Sequence, residues 1–163
     1  MVSTKQIAKA ERERKFFSLF ANSLGWEISA DSIESRPEPE PDILYRGGGG
    51  SIAFELAEIC ASDVAEQTAR LQKTGGVSAI WTSDPTEDIL RKKLSRKYES
   101  ELPVELLLYH NGRVVTPDSS VVPVIQDELK ANDKHTFRRI WLFGEKSIFE
   151  FSASGDILSS ITL

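Results

Sequence analysis

Pro41-Asp42-Ile43-Leu44-Tyr45-Arg46-Gly47-Gly48-Gly49-Gly50-Ser51-Ile52-Ala53-Phe54-Glu55-Leu56-Ala57-Glu58-Ile59 is the stretch on which the fold turns. Two strand-like runs flank four glycines, a pattern that predicts a β-hairpin. Symmetric closure sets Gly47 against Gly50 and Arg46 against Ser51, and the same register carried back sets Asp42 against Glu55. A two-residue turn at Gly48-Gly49 gives the same pairing, whereas a bulge would break it. Opposed residues share one face of a sheet, with Cβ atoms roughly 5 Å apart. The second run is nearly all apolar, as a central strand covered on both faces would be. Two carboxylates so placed repel, and a buried charge must be paired, protonated or metal-bound. A divalent cation meets both demands. With oxygen ligands alone, Mg²⁺ or Mn²⁺ is favoured over zinc.

Outward from the hairpin, residues 5–24 read as a helix, with Phe16, Phe17, Phe20 and Leu24 at helical spacing and Gly25 as a stop. Glu13 lies on the same line and so faces inward. Trp26 to Ala30 alternates like a short strand. Arg36-Pro37-Glu38-Pro39-Glu40-Pro41 cannot be helix and reads as an extended lead-in at a sheet edge. After the hairpin, residues 62–73 read as a helix and Val77 to Trp81 as a strand. Asp84-Pro85-Thr86-Glu87 starts a helix that runs to about Ser100. Val104 to Tyr109 is a buried strand and Val121 to Ala131 a helix. Arg138 to Phe143 and Ser147 to Phe151 are strands, and Asp156 to Thr162 adds an edge strand. The fold class is α/β, a central mixed sheet flanked by helices, in a single domain over residues 1–163.

The bulk numbers agree with one globular domain. Of 163 residues, 40% are apolar and 28% charged. The single cysteine, Cys60, excludes an internal disulfide and suits a reducing compartment. No apolar run is long enough to span a bilayer, and no signal-peptide core is present, so the expected location is the cytoplasm, away from membranes. A net charge of −5 argues against a protein that coats DNA, but is compatible with a carboxylate metal site.

Pro41-Asp42, a glycine hairpin and an apolar strand carrying Glu55 resemble motifs II and III of the PD-(D/E)XK, or restriction-endonuclease-like, superfamily. The order of elements from about residue 10 to 145 resembles that family's αβββαβ core. The resemblance implies that Asp42 and Glu55 hold catalytic Mg²⁺ (or Mn²⁺), with the Leu56 carbonyl as a further ligand and Glu13 as the acid that members often carry on the first helix. The family's lysine, two residues after the Glu, is Ala57 here. Lys93 and Lys97 flank a core line of Leu90, Leu94 and Tyr98, and are the candidates to replace it. The implied reaction is metal-dependent hydrolysis of phosphodiester bonds in DNA or RNA. Arg91, Lys92, Lys93, Arg96 and Lys97 would hold the nucleic-acid backbone, and a homodimer would cut two strands.

Two other readings stay open. Ala57 favours a catalytically inactive relative that binds nucleic acid or a protein partner, and an unrelated α/β binding module is the third. At the level of residues, Asp42 could be a solvated strand-start residue, with Glu55 paired to Arg46 or a helix lysine. The run Arg91 to Lys97 could be a solvated helix face. His110 and His135 have no nucleophile at motif spacing, and Cys60 reads as a small core residue. Residues 145–163 are either a sheet edge or a partner surface.

Overall fold

Two glycines with positive φ, Gly48 at 61° and Gly49 at 83°, turn the chain between β2 (Ile43–Gly47) and β3 (Gly50–Glu58). Both central residues of this turn need the left-handed region, which glycine enters without steric cost. The observed register pairs Gly47 with Gly50, Arg46 with Ser51 and Ile43 with Phe54, the pairing expected from the glycine run. The computed structural model describes residues 3–59, 85–110 and 116–163. The helix expected at 62–73, the strand at 77–81, Asp84 and Cys60 lie outside them.

β1 (Ile33–Ser35), β2 and β3 run antiparallel, and β3, β4 (Val104–Tyr109) and β5 (Arg139–Phe143) run parallel. β6 (Ser147–Ser152) and β7 (Ile157–Thr162) complete the sheet in antiparallel sense. The seven described strands follow sequence order from one edge to the other. Three helices are described: α1 (Thr4–Ser23), α2 (Thr86–Ser95) and α3 (Asp118–Ala131). The expected α/β class with a mixed sheet holds. None of the described helices is long and apolar enough to cross a membrane.

Each face of the sheet carries its own core. α1 lays Phe17, Phe20 and Ala21 on Tyr45, Phe54, Leu56, Leu107 and Trp141. The opposite face packs Leu90 and Leu94 of α2, and Val121, Ile125 and Leu129 of α3, against Ala53, Ala57, Leu106, Leu108, Ile140 and Leu142. Parallel crossovers over β3–β4 and β4–β5 place their helices on one side when both are right-handed. Ser3 caps α1 reciprocally with Gln6, each taking a bond from the other's backbone N–H, at 3.2 and 2.9 Å.

Three local expectations need correction. Trp26 to Ala30 forms no strand, and β1 begins at Ile33. Its alternation reflects one-sided packing: Trp26 stacks on Tyr45 at 5.3 Å and meets Trp141 edge-on at 5.8 Å. The segment 36–41 pairs with no strand and contains a turn, closed by the Glu40 N–H on the Pro37 carbonyl at 3.0 Å. α2 stops at Ser95, and Arg96 is extended, with ψ at 150°. Tyr98 therefore reaches the core from a loop, against Phe137 at 5.5 Å, and Lys97 does not follow Lys93 along one helix face.

Candidate carboxylate centre

The acids meet where β2 begins. Asp42 precedes β2, its carbonyl takes the Arg36 N–H at 2.9 Å, and its Oδ2 takes the Leu56 N–H at 2.9 Å. In an extended strand the N–H and C=O of one residue point toward the same neighbouring strand. The Leu56 carbonyl therefore faces the same edge as Asp42. Glu55 sits one residue earlier on β3, and Glu13 comes from α1, one turn before Phe17. Glu13, Asp42 and Glu55 are only 7%, 9% and 4% exposed. Glu13 and Glu55 each lie within hydrogen-bonding reach of Asp42.

Two lysines answer the three acids, one from each helical layer. Lys93 of α2 places Nζ 2.8 Å from Glu55 Oε1, and both side chains are largely buried. Lys9 of α1 is half-exposed, with Nζ 3.7 Å from Asp42 Oδ1 and 4.0 Å from Glu13 Oε2. Burial, and then the Asp42 charge, push Glu13 up to about 8 and Glu55 up to about 7, with Lys93 pulling Glu55 back. Burial alone would lower Lys9, but the charges of Asp42, Glu13 and Glu55 outweigh it and raise it. Among the described residues, no three His, Cys, Asp or Glu side chains stand ready as a metal cage. Lys93 already occupies a Glu55 oxygen.

A cavity of about 310 Å³ opens beside Glu55, lined by Glu38, Pro39, Glu40, Arg96, Lys97 and Tyr98. Lys97 thus stands near Glu55 across a cavity rather than along a helix. The basic run is not one patch. Arg91 binds Glu87 and Glu128, and Lys93 binds Glu55, which leaves Lys92, Arg96 and Lys97 exposed.

Sequence reasoning missed Lys9 and Glu105. Lys9 stands four residues before Glu13, a spacing that pairs side chains along a helix. Glu105 is an acid inside the apolar run Val104–Tyr109, and is 2% exposed. Its carboxylate takes the Trp141 Nε1–H at 2.8 Å and the Arg138 Nε–H at 2.9 Å, on the α1 face of the sheet. Its bonds are structural: they tie β4 to β5.

No family model matches the chain, and no curated protein matches it. Among solved structures, the chain is similar to a protein of unknown function from Pseudomonas aeruginosa strain PAO1, described as a member of the monooxygenase superfamily. The two share 21% identity at a TM-score of 0.53, over 95% of this chain and 83% of the other. The likeness is one of fold. It overturns the PD-(D/E)XK assignment and, with it, the reading as a nuclease that hydrolyses DNA or RNA, and it does not show the restriction-endonuclease-like core. The physical reason lies in what the motif measured. A proline, an aspartate and a glutamate around a glycine hairpin describe one local ribbon, and many sheets contain such a ribbon. At the family's lysine position, Ala57 is packed into the α2–α3 core, 5% exposed. Roles in phosphodiester cleavage for Asp42, Glu55, Lys93 and Lys97 are withdrawn with the family.

Proposed function

We propose that the domain binds a divalent cation, Mg²⁺ or Mn²⁺, among Asp42, Glu55 and Glu13, with the Leu56 carbonyl as a further oxygen ligand. The observation that carries this reading is the meeting of three buried carboxyl groups that, among the described residues, two ammonium groups answer. Hard oxygen donors without a nearby histidine or cysteine suit these ions. A bound ion would let all three acids ionise at neutral pH, and would compete with Lys93 for Glu55 Oε1.

A second reading is favoured by the 2.8 Å contact of Lys93 with Glu55. Here the lysines themselves complete the centre, and the cluster is an ion-pair network joining α1, the β2–β3 hairpin and α2. Thermal unfolding with and without Mn²⁺ separates the two. An ion at a hundredfold its Kd stabilises by about 2.7 kcal/mol. For a domain of this size that raises Tm by roughly 5–10 °C. Asp42→Asn and Glu55→Gln should abolish the rise, and Lys93→Met should tighten Mn²⁺ binding. No shift with Mn²⁺, and a Lys93→Met protein that is merely less stable, would support the network reading instead.

A further inference from the structure

The two edges of the sheet are built differently. β1 is three residues long, and its Glu34 pairs with Arg36 at 2.5 Å and Arg46 at 2.6 Å. Short length and charge are the usual defences of an edge against strand addition. β7 has six residues, all of them exposed, and no side chain from Ile157 to Leu163 is charged. Ile157, Leu158, Ile161 and Leu163 are 39–53% exposed. β6 covers one side of β7, and the other side ends the sheet among the described residues. Its outward N–H and C=O groups, flanked by apolar side chains, fit another extended strand.

We propose that β7 pairs antiparallel with β7 of a second copy of this chain across a two-fold axis, so that two seven-stranded sheets become one. The strand is complementary to itself. A two-fold axis perpendicular to the sheet joins like faces, so it falls on a residue rather than between two. With Ser160 on the axis, Ser160 faces its own copy, Ser159 faces Ile161, Leu158 faces Thr162 and Ile157 faces Leu163, which puts two serines at the centre and an apolar pair at each end. The irregularity opposite Glu150 and Phe151 affects only the first residues of β7. The flanking charges also match. Asp156 precedes β7, and Lys146 stands beside its far end, where its carbonyl takes the Leu163 N–H at 2.9 Å. Antiparallel pairing brings Asp156 of each copy toward Lys146 of the second copy, at both ends of the interface. One patch used twice in this way is the isologous form that closed dimers require.

A strand-edge interface falls below the roughly 1,200 Å² of tight complexes, so the dimer should dissociate in the micromolar range. Sedimentation velocity of the full chain from about 5 to about 200 μM, the range of a weak interface, should show the mass rising toward twice that of one chain. Ser160→Lys and Ser160→Glu each set like charges against each other across the axis. Each alone should weaken the dimer at least tenfold, with an unchanged far-UV CD spectrum, and an equimolar mixture should restore it. A wild-type chain that stays monomeric throughout, forms only open-ended aggregates, or dimerises equally well as Ser160→Lys would overturn the proposal.

Discussion

Replacing Glu55 by glutamine should make the metal-free protein more stable, by an amount that grows with pH. Burial and the Asp42 charge raise the carboxyl of Glu55 from its ordinary 4.5 to about 7. A carboxyl whose folded value is raised contributes its full stability below pH 4.5 and loses it as the pH climbs through 7. That rise corresponds to about 3 kcal/mol, undiminished by solvent because Glu55 is 4% exposed. Glutamine keeps the shape and carries no charge, so Glu55→Gln does not incur this loss. At pH 4.5 the two proteins should differ only by the bond to Lys93, a cost of about 1 kcal/mol or less to the variant. By pH 8.5 the variant should be ahead by about 2 kcal/mol, or roughly 4–8 °C in Tm. Glu13, pushed up to about 8, titrates in both proteins and largely cancels in the difference. The assay is urea unfolding in a chelating buffer at half-unit steps from pH 4.5 to 8.5. A difference between the two proteins that does not change with pH would refute the claim that Glu55 is held in a charge-crowded, desolvated site.

Two further outcomes test the packing elsewhere in the sheet. Glu105→Ala should cost about 2–4 kcal/mol in urea unfolding, because it leaves the buried Trp141 N–H without its acceptor; Glu105→Gln, which retains an acceptor, should cost clearly less. Gly144→Ala should lower stability by about 1–3 kcal/mol, since its Cβ would fall 2.2 Å from Asp118 Oδ1 and 3.0 Å from the Ser147 carbonyl. That carboxylate cannot simply turn away, because it holds the Glu145 and Lys146 N–H groups at 2.8 and 3.1 Å. Gly50→Ala, with open space around it and no positive φ, is the control and should change Tm little.

What the sequence determined by itself is what its local chemistry dictates. Four glycines set the turn, the turn sets the register of Ile43 against Phe54, and that register brings Asp42 to β3 beside Glu55. The buried strand at Val104–Tyr109, the inward line of α1 through Glu13, and the edge strand near residue 157 follow from side-chain periodicity in the same way. Only the tertiary structure could decide which distant groups answer those acids. Lys93 lies 38 residues from Glu55, and Trp141 lies 36 residues from Glu105. The end of α2 at Ser95 was equally hidden, because the loop that follows is held by a long-range bond from Glu99 N–H to the Pro39 carbonyl. The family assignment failed for the same reason. A hairpin with two acids is a property of about twenty neighbouring residues, the range over which turn and pairing rules act, whereas kinship of fold resides in how distant strands and helices are arranged together.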